Sequence, residues 1–254
     1  MNLLRAWTTL TWLTFRRLLW SSNTGMVLLP LAGCTLFVLR RHYNRPYASP
    51  QEFQDFSEFM ILVFASFVVP ICALAYGTAS IGGDREDRTL VFLLVRPIPR
   101  ALILLAKFTA TLPLVLGLVV GSYWLDCRLA GEVGQVAFEL YLPALVYMTL
   151  AYVSLFHLFA VAFRHSTIIS LIYALFMEVL LGDMPGIAKR VAVNYYGRSL
   201  MYAAGAKEGL PAPDPQWFEP LSVETATWAL AGITVGALLW AAIVFSRREY
   251  RDLT

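Results

Sequence analysis

The feature that most constrains this chain is a set of long apolar segments with little sequence between them. Residues 59–79, 101–125, 140–163 and 225–245 are each mostly apolar over 21 to 25 positions. A helix needs about 20 such residues to cross the roughly 30 Å hydrocarbon core of a membrane. With 58% hydrophobic and 15% charged residues and a mean hydropathy of +0.63, the chain is composed like an integral membrane protein rather than a soluble domain.

Two shorter apolar segments, residues 24–39 and 167–181, bring the number of predicted transmembrane helices to six. At 16 and 15 residues they are short for a crossing on their own. Six spans and their connections use nearly the whole chain, so we predict a single transmembrane domain over residues 1–254. The predicted fold class is an all-α integral membrane protein with six transmembrane helices.

Two segments do not have the composition of spans. Residues 1–20 are too polar to cross, but leucines and tryptophans recur beside Arg5, Arg16 and Arg17 at helical spacing. This pattern predicts an amphipathic helix in the inner membrane interface, with a frayed leader as the alternative. Residues 182–222 contain the proline-rich sequence GLPAPDPQWFEP and are predicted to form an extracytoplasmic loop, with one or two short interfacial helices in its first half.

Positively charged residues set the predicted orientation, because loops that stay in the cytoplasm retain Lys and Arg. With both termini inside, twelve of the 20 Lys and Arg residues lie on the inner side. The sequence RRHYNR after the first span argues locally for the opposite orientation, although Glu52, Asp55 and Glu58 dilute its charge. We therefore predict a multi-pass protein of the inner (plasma) membrane with both termini in the cytoplasm.

Several classes of function find little support in the composition. The net charge of +3 is small and its cations are spread over many loops, so we expect no binding to nucleic acid. Cys34 and Cys72 fall within predicted spans and Cys127 lies alone in a predicted outer loop, so no disulfide framework is expected. The three histidines are scattered, and we predict neither a metal site nor a catalytic residue.

A charged insert separates two of the long apolar segments. Residues 82–100, GGDREDRTLVFLLVRPIPR, carry seven charged side chains. Gly82 and Gly83 are predicted to end the preceding span, and Asp84 to cap a short helix whose first turn holds further acids, where the helix dipole favours negative charge. The sequence TLVFLLV gives this helix an apolar body, and Pro97 ends it. The result is a helix at the cytoplasmic surface, too short to cross a membrane.

The sequence DREDRTLVFLLVRPIPRALILLAKF resembles the loop between the second and third spans of type-2 ABC exporter permeases. In that family an acid precedes a Thr-Leu pair, which is followed by a Leu-Leu pair, a proline, an arginine and a lysine. Arg88 stands where the family usually has glycine. The amphipathic N-terminal helix, the six spans, the long outer loop and the basic tail SRREYRDLT also match the family's plan. The matching positions of the loop are Glu86, Thr89, Leu90, Leu93, Leu94, Pro97, Arg100 and Lys107.

By this resemblance the chain is the permease subunit of an ATP-driven exporter. Its insert, residues 82–100, is then a coupling helix that docks into a groove of a separate ATPase subunit, with the leucines in the groove and Glu86 and Arg88 at the rim. ATP belongs to that partner, because the sequence lacks the phosphate-binding pattern G-x-x-x-x-G-K-[ST], so we expect no cofactor and no enzymatic activity here. A second permease subunit, identical or related, and membrane lipid are the other expected partners. The implied coupling residues are Asp84, Glu86, Arg88, Thr89, Leu90, Leu93, Leu94, Pro97 and Arg100.

Three other interpretations stay open. The insert could be a surface helix whose charges are simply solvated. The chain could be a membrane assembly protein that transports nothing. It could also be an ion-coupled transporter that uses Lys107, His157 or Glu178 within the membrane. Against ion coupling, Lys107 and Glu178 are close enough to the ends of their spans to snorkel to a surface, and a lone histidine is more often a packed, hydrogen-bonded residue.

Overall fold

The computed structural model describes residues 3–44, 50–87, 89–94, 98–176, 188–215 and 218–248. Within these ranges the protein is helical, with no strand. Five helices are long and apolar enough to cross a membrane, which confirms an all-helical, multi-pass membrane fold. The segment predicted as a further span is a shorter apolar helix over Ser166–Phe176, and residues 177–181 of that prediction lie outside the described residues. The five long helices are Ser22–Arg41, Gln51–Gly83, Arg100–Leu129, Glu132–Ala162 and Val223–Arg247.

We number the α-helices in chain order. Two short π-helical segments, Ile61–Val68 and Ala79–Gly83, join α3, α4 and α5 into one continuous rod. Two 3₁₀ turns, Ala188–Val191 and Ala206–Glu208, flank α10. The helices are α1 (Leu3–Leu19), α2 (Ser22–Asn44), α3 (Pro50–Met60), α4 (Val69–Thr78), α5 (Asp84–Glu86), α6 (Leu90–Leu94), α7 (Arg100–Leu129), α8 (Glu132–Ala162), α9 (Ser166–Tyr173), α10 (Val193–Gly205) and α11 (Val223–Arg247).

The bundle is built around α8, which packs against α4, α7, α9, α10 and α11. Its fully buried positions mix small and large side chains, among them Ala144, Met148, Ala151 and Phe156. In lipid there is no hydrophobic driving force for helices to associate, so the spans are held together by the close packing of these small and large side chains. In contrast, α2 and α11 expose most of their apolar side chains.

A tight turn at Gly131 joins α7 and α8 into an antiparallel pair. Gly131 has a φ of 72°, a conformation that side chains with a Cβ rarely adopt. A Cβ at Gly134 would collide with the carbonyl oxygen of Cys127, so glycine permits this close approach of the two backbones. Cys127 is therefore buried in the last turn of α7, and the prediction that it lies in an outer loop is wrong.

The second long helix contains a proline in its interior and extends beyond its predicted end. Pro70 is the second residue of α4, which directly follows the π-helical segment Ile61–Val68. At the junction the amide of Val69 donates to the carbonyl oxygen of Phe64. Such a segment accommodates the proline without ending the helix. The helix was predicted to end at Gly82 and Gly83, and this prediction is wrong, because the helix continues through Asp84–Glu86.

Much of the predicted outer loop is folded onto the bundle. The helix α10 packs against α8 and α11 and buries Leu200 and Met201, so a short helix forms there as predicted. The phenol of Tyr195 donates a 2.8 Å hydrogen bond to the carbonyl of Glu219, and burial raises the pKa of this phenol. The proline-rich sequence that follows contains no regular helix over residues 209–215 and 218–222.

Candidate functional site

Charged residues of three separate elements meet at one end of the bundle, which we call the basal end. It is formed by α5, the first turns of α7 and the last turns of α8 and α11. Here the carboxylate of Asp84 lies between the ammonium of Lys107 on α7 and the guanidinium of Arg17 on α1. Lys107 also donates to the carbonyl oxygen of Ser80. The other guanidinium nitrogen of Arg17 pairs with Asp87 at 2.7 Å.

The Asp84–Lys107 pair is buried, with 4% and 2% of the two side chains exposed. Each charge is tolerated because the other neutralises it and because the Ser80 carbonyl takes a further ammonium proton. The prediction that Lys107 snorkels to the surface is therefore wrong. The side chain stays within the bundle because Asp84 gives it a closer counter-ion than the membrane interface does.

Three arginines of the basal end cap the C-termini of neighbouring helices. Arg85 donates to the carbonyl oxygen of Phe163 at 2.6 Å, and Arg248 donates to those of Val161, at 3.0 Å, and Ala162. Arg100 donates to the carbonyl oxygen of Arg248 at 2.9 Å. Helix C-termini leave carbonyl oxygens without intrahelical partners, and cations there also oppose the helix dipole. These bonds join α5, α7, α8 and α11 into one platform.

The short helix α6 lies on this platform with one apolar face turned inward. Leu90 is fully buried in a cluster with Ile81, Ile103 and Phe245, and Leu93 is partly buried against the same cluster. Phe92 points away from the platform and is 73% exposed. The prediction that Leu90 sits in a partner's groove is therefore wrong, because the platform itself provides the groove that Leu90 fills.

The other predicted coupling residues have varied positions. Asp84 faces the bundle instead of a partner, Thr89 is exposed, and Arg100 is part of the capping network. The side chains of Glu86 and Leu94 and the whole of Arg88 and Pro97 lie outside the described residues. Among the described residues of the insert, the exposed ones that could meet a partner are Asp87, Thr89, Phe92 and Pro99.

Residues 26–249 match the family described as ABC-2 family transporter protein. The chain belongs to this family. A search among curated proteins returned no similar sequence. As an ABC-2 family transporter protein, it is the membrane component of an ABC transporter, and its family is one that associates with an ABC ATPase subunit.

In this ABC-2 family protein, the histidine within α8 makes local hydrogen bonds. His157 is fully buried, its Nδ1 donates to the carbonyl oxygen of Val153 at 2.8 Å, and its Nε2 lies 3.0 Å from the hydroxyl of Ser80. The prediction of a packed, hydrogen-bonded histidine is confirmed. Glu178, the third candidate for ion coupling, lies outside the described residues.

One acid of the ABC-2 family protein was not anticipated from the sequence. Asp126 is fully buried in the last turn of α7 and accepts a 2.7 Å hydrogen bond from Thr35 of α2. Its second carboxylate oxygen has no hydrogen-bond partner among the described residues. The predicted span ended at residue 125, which placed Asp126 in a loop outside the membrane. Only the longer helix places it inside the bundle.

The capping network predicts a difference between two adjacent arginines. Arg248→Ala removes the donors to the last carbonyls of α8 and is expected to destabilise the fold by about 1–2 kcal/mol, seen as a melting temperature lower by several degrees. Arg247→Ala is the matched control, because Arg247 is exposed and should change the melting temperature little. Equal shifts of the two purified variants would show that the caps do not hold the platform together.

Proposed function

We propose that this chain is the permease subunit of an ATP-driven exporter, which couples ATP hydrolysis by a separate ATPase subunit to movement of a substrate across the membrane. The observation that carries the proposal is the two-sided geometry of α6. Leu90 fixes the helix to the platform, while Phe92 is 73% exposed at the basal end and is not covered by any of the described residues. Exposed aromatic residues of this kind are the usual anchors of protein interfaces.

The platform offers a direct route for mechanical coupling. A displacement of α6 by a partner acts on the cluster around Leu90, whose members belong to α7, α8 and α11 as well as to the preceding π-helical segment. The Asp84–Lys107 pair provides a second connection, from α5 to α7. Because packed interfaces move as units instead of deforming gradually, a push on α6 is transmitted as a rigid-body shift of these spans.

The remaining partners follow from the same proposal. ATP is bound by the ATPase, and this chain holds no nucleotide. A second permease unit, identical or related, encloses the transport path with this one. The exposed apolar faces of α2 and α11 are available either to that unit or to lipid. A Cβ added at Gly117 or Gly121 of α7, or at Gly232 or Gly236 of α11, would meet no atom of the described residues, so these positions are also open to contact with another helix.

The proposal requires the basal end to face the cytoplasm, where ATP is found. The basal cations Arg16, Arg17, Arg85, Arg100 and Arg248 support this orientation. In intact cells, a membrane-impermeant maleimide is expected to label Ala212→Cys and to leave Asp87→Cys unlabelled until the membrane is opened. Both positions are exposed, so a difference reports sidedness alone. Labelling of Asp87→Cys from outside would contradict the orientation and with it the ATPase contact.

Ion-coupled transport is the second candidate function, and the buried carboxyl of Asp126 is the observation that favours it. It is weaker, because Lys107 and His157 are both engaged in local contacts and no chain of ionisable groups links them to Asp126 among the described residues. Transport into inverted vesicles distinguishes the two candidates. If the chain is part of an ABC exporter, transport needs ATP and continues in the presence of a protonophore. If transport is ion-coupled, it needs the ion gradient and does not need ATP.

A further inference from the structure

A cavity of about 480 Å³ lies where the end of α1, the first turns of α2, the rod and α9 come together. This volume is within the usual range for sites that bind a small molecule. Part of its wall is apolar, formed by Leu18, Met26 and Leu74 among others. Met26 is 72% exposed, so the cavity is open on the side where the apolar face of α2 is also exposed.

The uncharged polar side chains Ser21, Asn23 and Thr78 of the wall already have hydrogen-bond partners within the protein. Asn23 donates to the carbonyl oxygen of Ala75 at 2.9 Å, and the hydroxyl of Thr78 donates to that of Leu74 at 2.7 Å. These groups therefore present little hydrogen-bonding capacity to a ligand. Arg17 also lines the cavity, and its side chain is 46% exposed. It is the cation of the wall, and it brings a positive charge to the rim of an apolar space.

The two ion pairs of Arg17 differ in strength. Asp84 is 4% exposed and shares its carboxylate with Lys107, so this pair is part of the buried network. Asp87 is 61% exposed, and an exposed pair of this kind contributes little net free energy. An incoming anion can therefore replace Asp87 on Arg17 at small cost while the buried pair stays intact.

We propose that this cavity binds an amphiphile with an anionic head, whose apolar chain lies against Leu18, Met26 and Leu74 and whose head replaces Asp87 on Arg17. An anionic phospholipid of the membrane and a free single-chain amphiphile, such as a fatty acid, share this chemistry. The last turn of α1 carries Arg16 and Arg17 and no acid, which further favours an anionic head at this level of the membrane. The proposal is independent of ATPase coupling, because binding is measured without ATP or a partner.

The test uses the full chain in lipid nanodiscs and three photoreactive probes that carry a diazirine in the chain: a fatty acid, a phosphatidylglycerol and a phosphatidylcholine. The anionic probes are expected to label the peptides that contain Met26 and Leu74, and the zwitterionic probe to label them far less. Labelling by the fatty acid identifies a single-chain ligand, and labelling by phosphatidylglycerol alone identifies a resident phospholipid. Labelling that is independent of head-group charge would overturn the proposal.

Three substitutions sharpen the result. Arg17→Gln removes the cation and is expected to reduce anionic labelling by about tenfold or more. Asp87→Asn removes the competing acid and is expected to raise it by about twofold to fivefold, a gain that misfolding would not produce. Arg16→Gln, which changes the adjacent cation outside this cavity, should leave it unchanged. A loss at Asp87→Asn, or equal losses at Arg16→Gln and Arg17→Gln, would overturn the assignment.

Discussion

Replacing Lys107 with methionine is expected to destabilise the folded protein by about 3–5 kcal/mol. Methionine fits the space of the aliphatic stem, but it leaves the carboxylate of Asp84 buried with Arg17 as its remaining cation and leaves the Ser80 carbonyl without this donor. Unfolding of the purified protein by a graded series of denaturing detergent measures the change. Lys207→Met, at an exposed position, is the matched control and should have little effect.

A double substitution separates the lost charge pair from lost packing. Asp84→Asn combined with Lys107→Met removes both buried charges, so it should recover much of the stability that Lys107→Met alone loses. The contradicting result is additivity. If the double variant loses as much stability as Asp84→Asn and Lys107→Met together, the two side chains do not stabilise each other.

Replacing Phe92 with aspartate is expected to abolish stable association with the ATPase subunit and the stimulation of ATP hydrolysis by the permease. The side chain is 73% exposed on the outer face of α6, so the variant should fold and enter the membrane normally. At an interface, however, the substitution removes an aromatic anchor and buries an unpaired carboxylate, which together reduce affinity by several kcal/mol. Copurification of the ATPase at equal permease expression measures the effect.

Leu90→Ala provides the contrast to the Phe92 variant. Leu90 is fully buried, so its truncation should lower the stability of the permease by about 2–5 kcal/mol. Permease that remains folded should still retain the ATPase, because the exposed face of α6 is unchanged. Leu94→Asp is also predicted to weaken association, a prediction that follows from the sequence resemblance and concerns a side chain outside the described residues. Unchanged ATPase retention by Phe92→Asp would favour a solvated surface helix.

The long apolar segments allowed the architecture to be predicted because each is nearly sufficient to define its own helix. The segment 225–245 becomes Val223–Arg247, and the segment 101–125 becomes Arg100–Leu129, with extensions at their ends. The extensions could not be predicted from hydropathy, because a polar residue such as Asp126 can continue a helix where a side chain of another span forms a hydrogen bond with it. Here the hydroxyl of Thr35 donates that hydrogen bond to Asp126.

The orientation of the short helix α6 could not be inferred from its sequence. Leu90, Phe92 and Leu93 are all apolar, and five residues are too few for a periodic pattern to show which of them faces the bundle. The platform decides this, because the cluster formed by Ile81, Ile103 and Phe245 accepts Leu90. In the same way, the partnership of Asp84 with Lys107 depends on how the rod and α7 pack, which is a tertiary contact across 23 positions of sequence.

The most direct test of coupling through α6 places a photo-crosslinking amino acid at position 92 or at position 90, in permease expressed together with its ATPase subunit. Position 92 is exposed and position 90 is buried, although they are two residues apart on the same helix. We expect an adduct with the ATPase at position 92 and, at position 90, only crosslinks within the permease. Adducts with lipid alone at position 92, or equal ATPase adducts at both positions, would contradict the account.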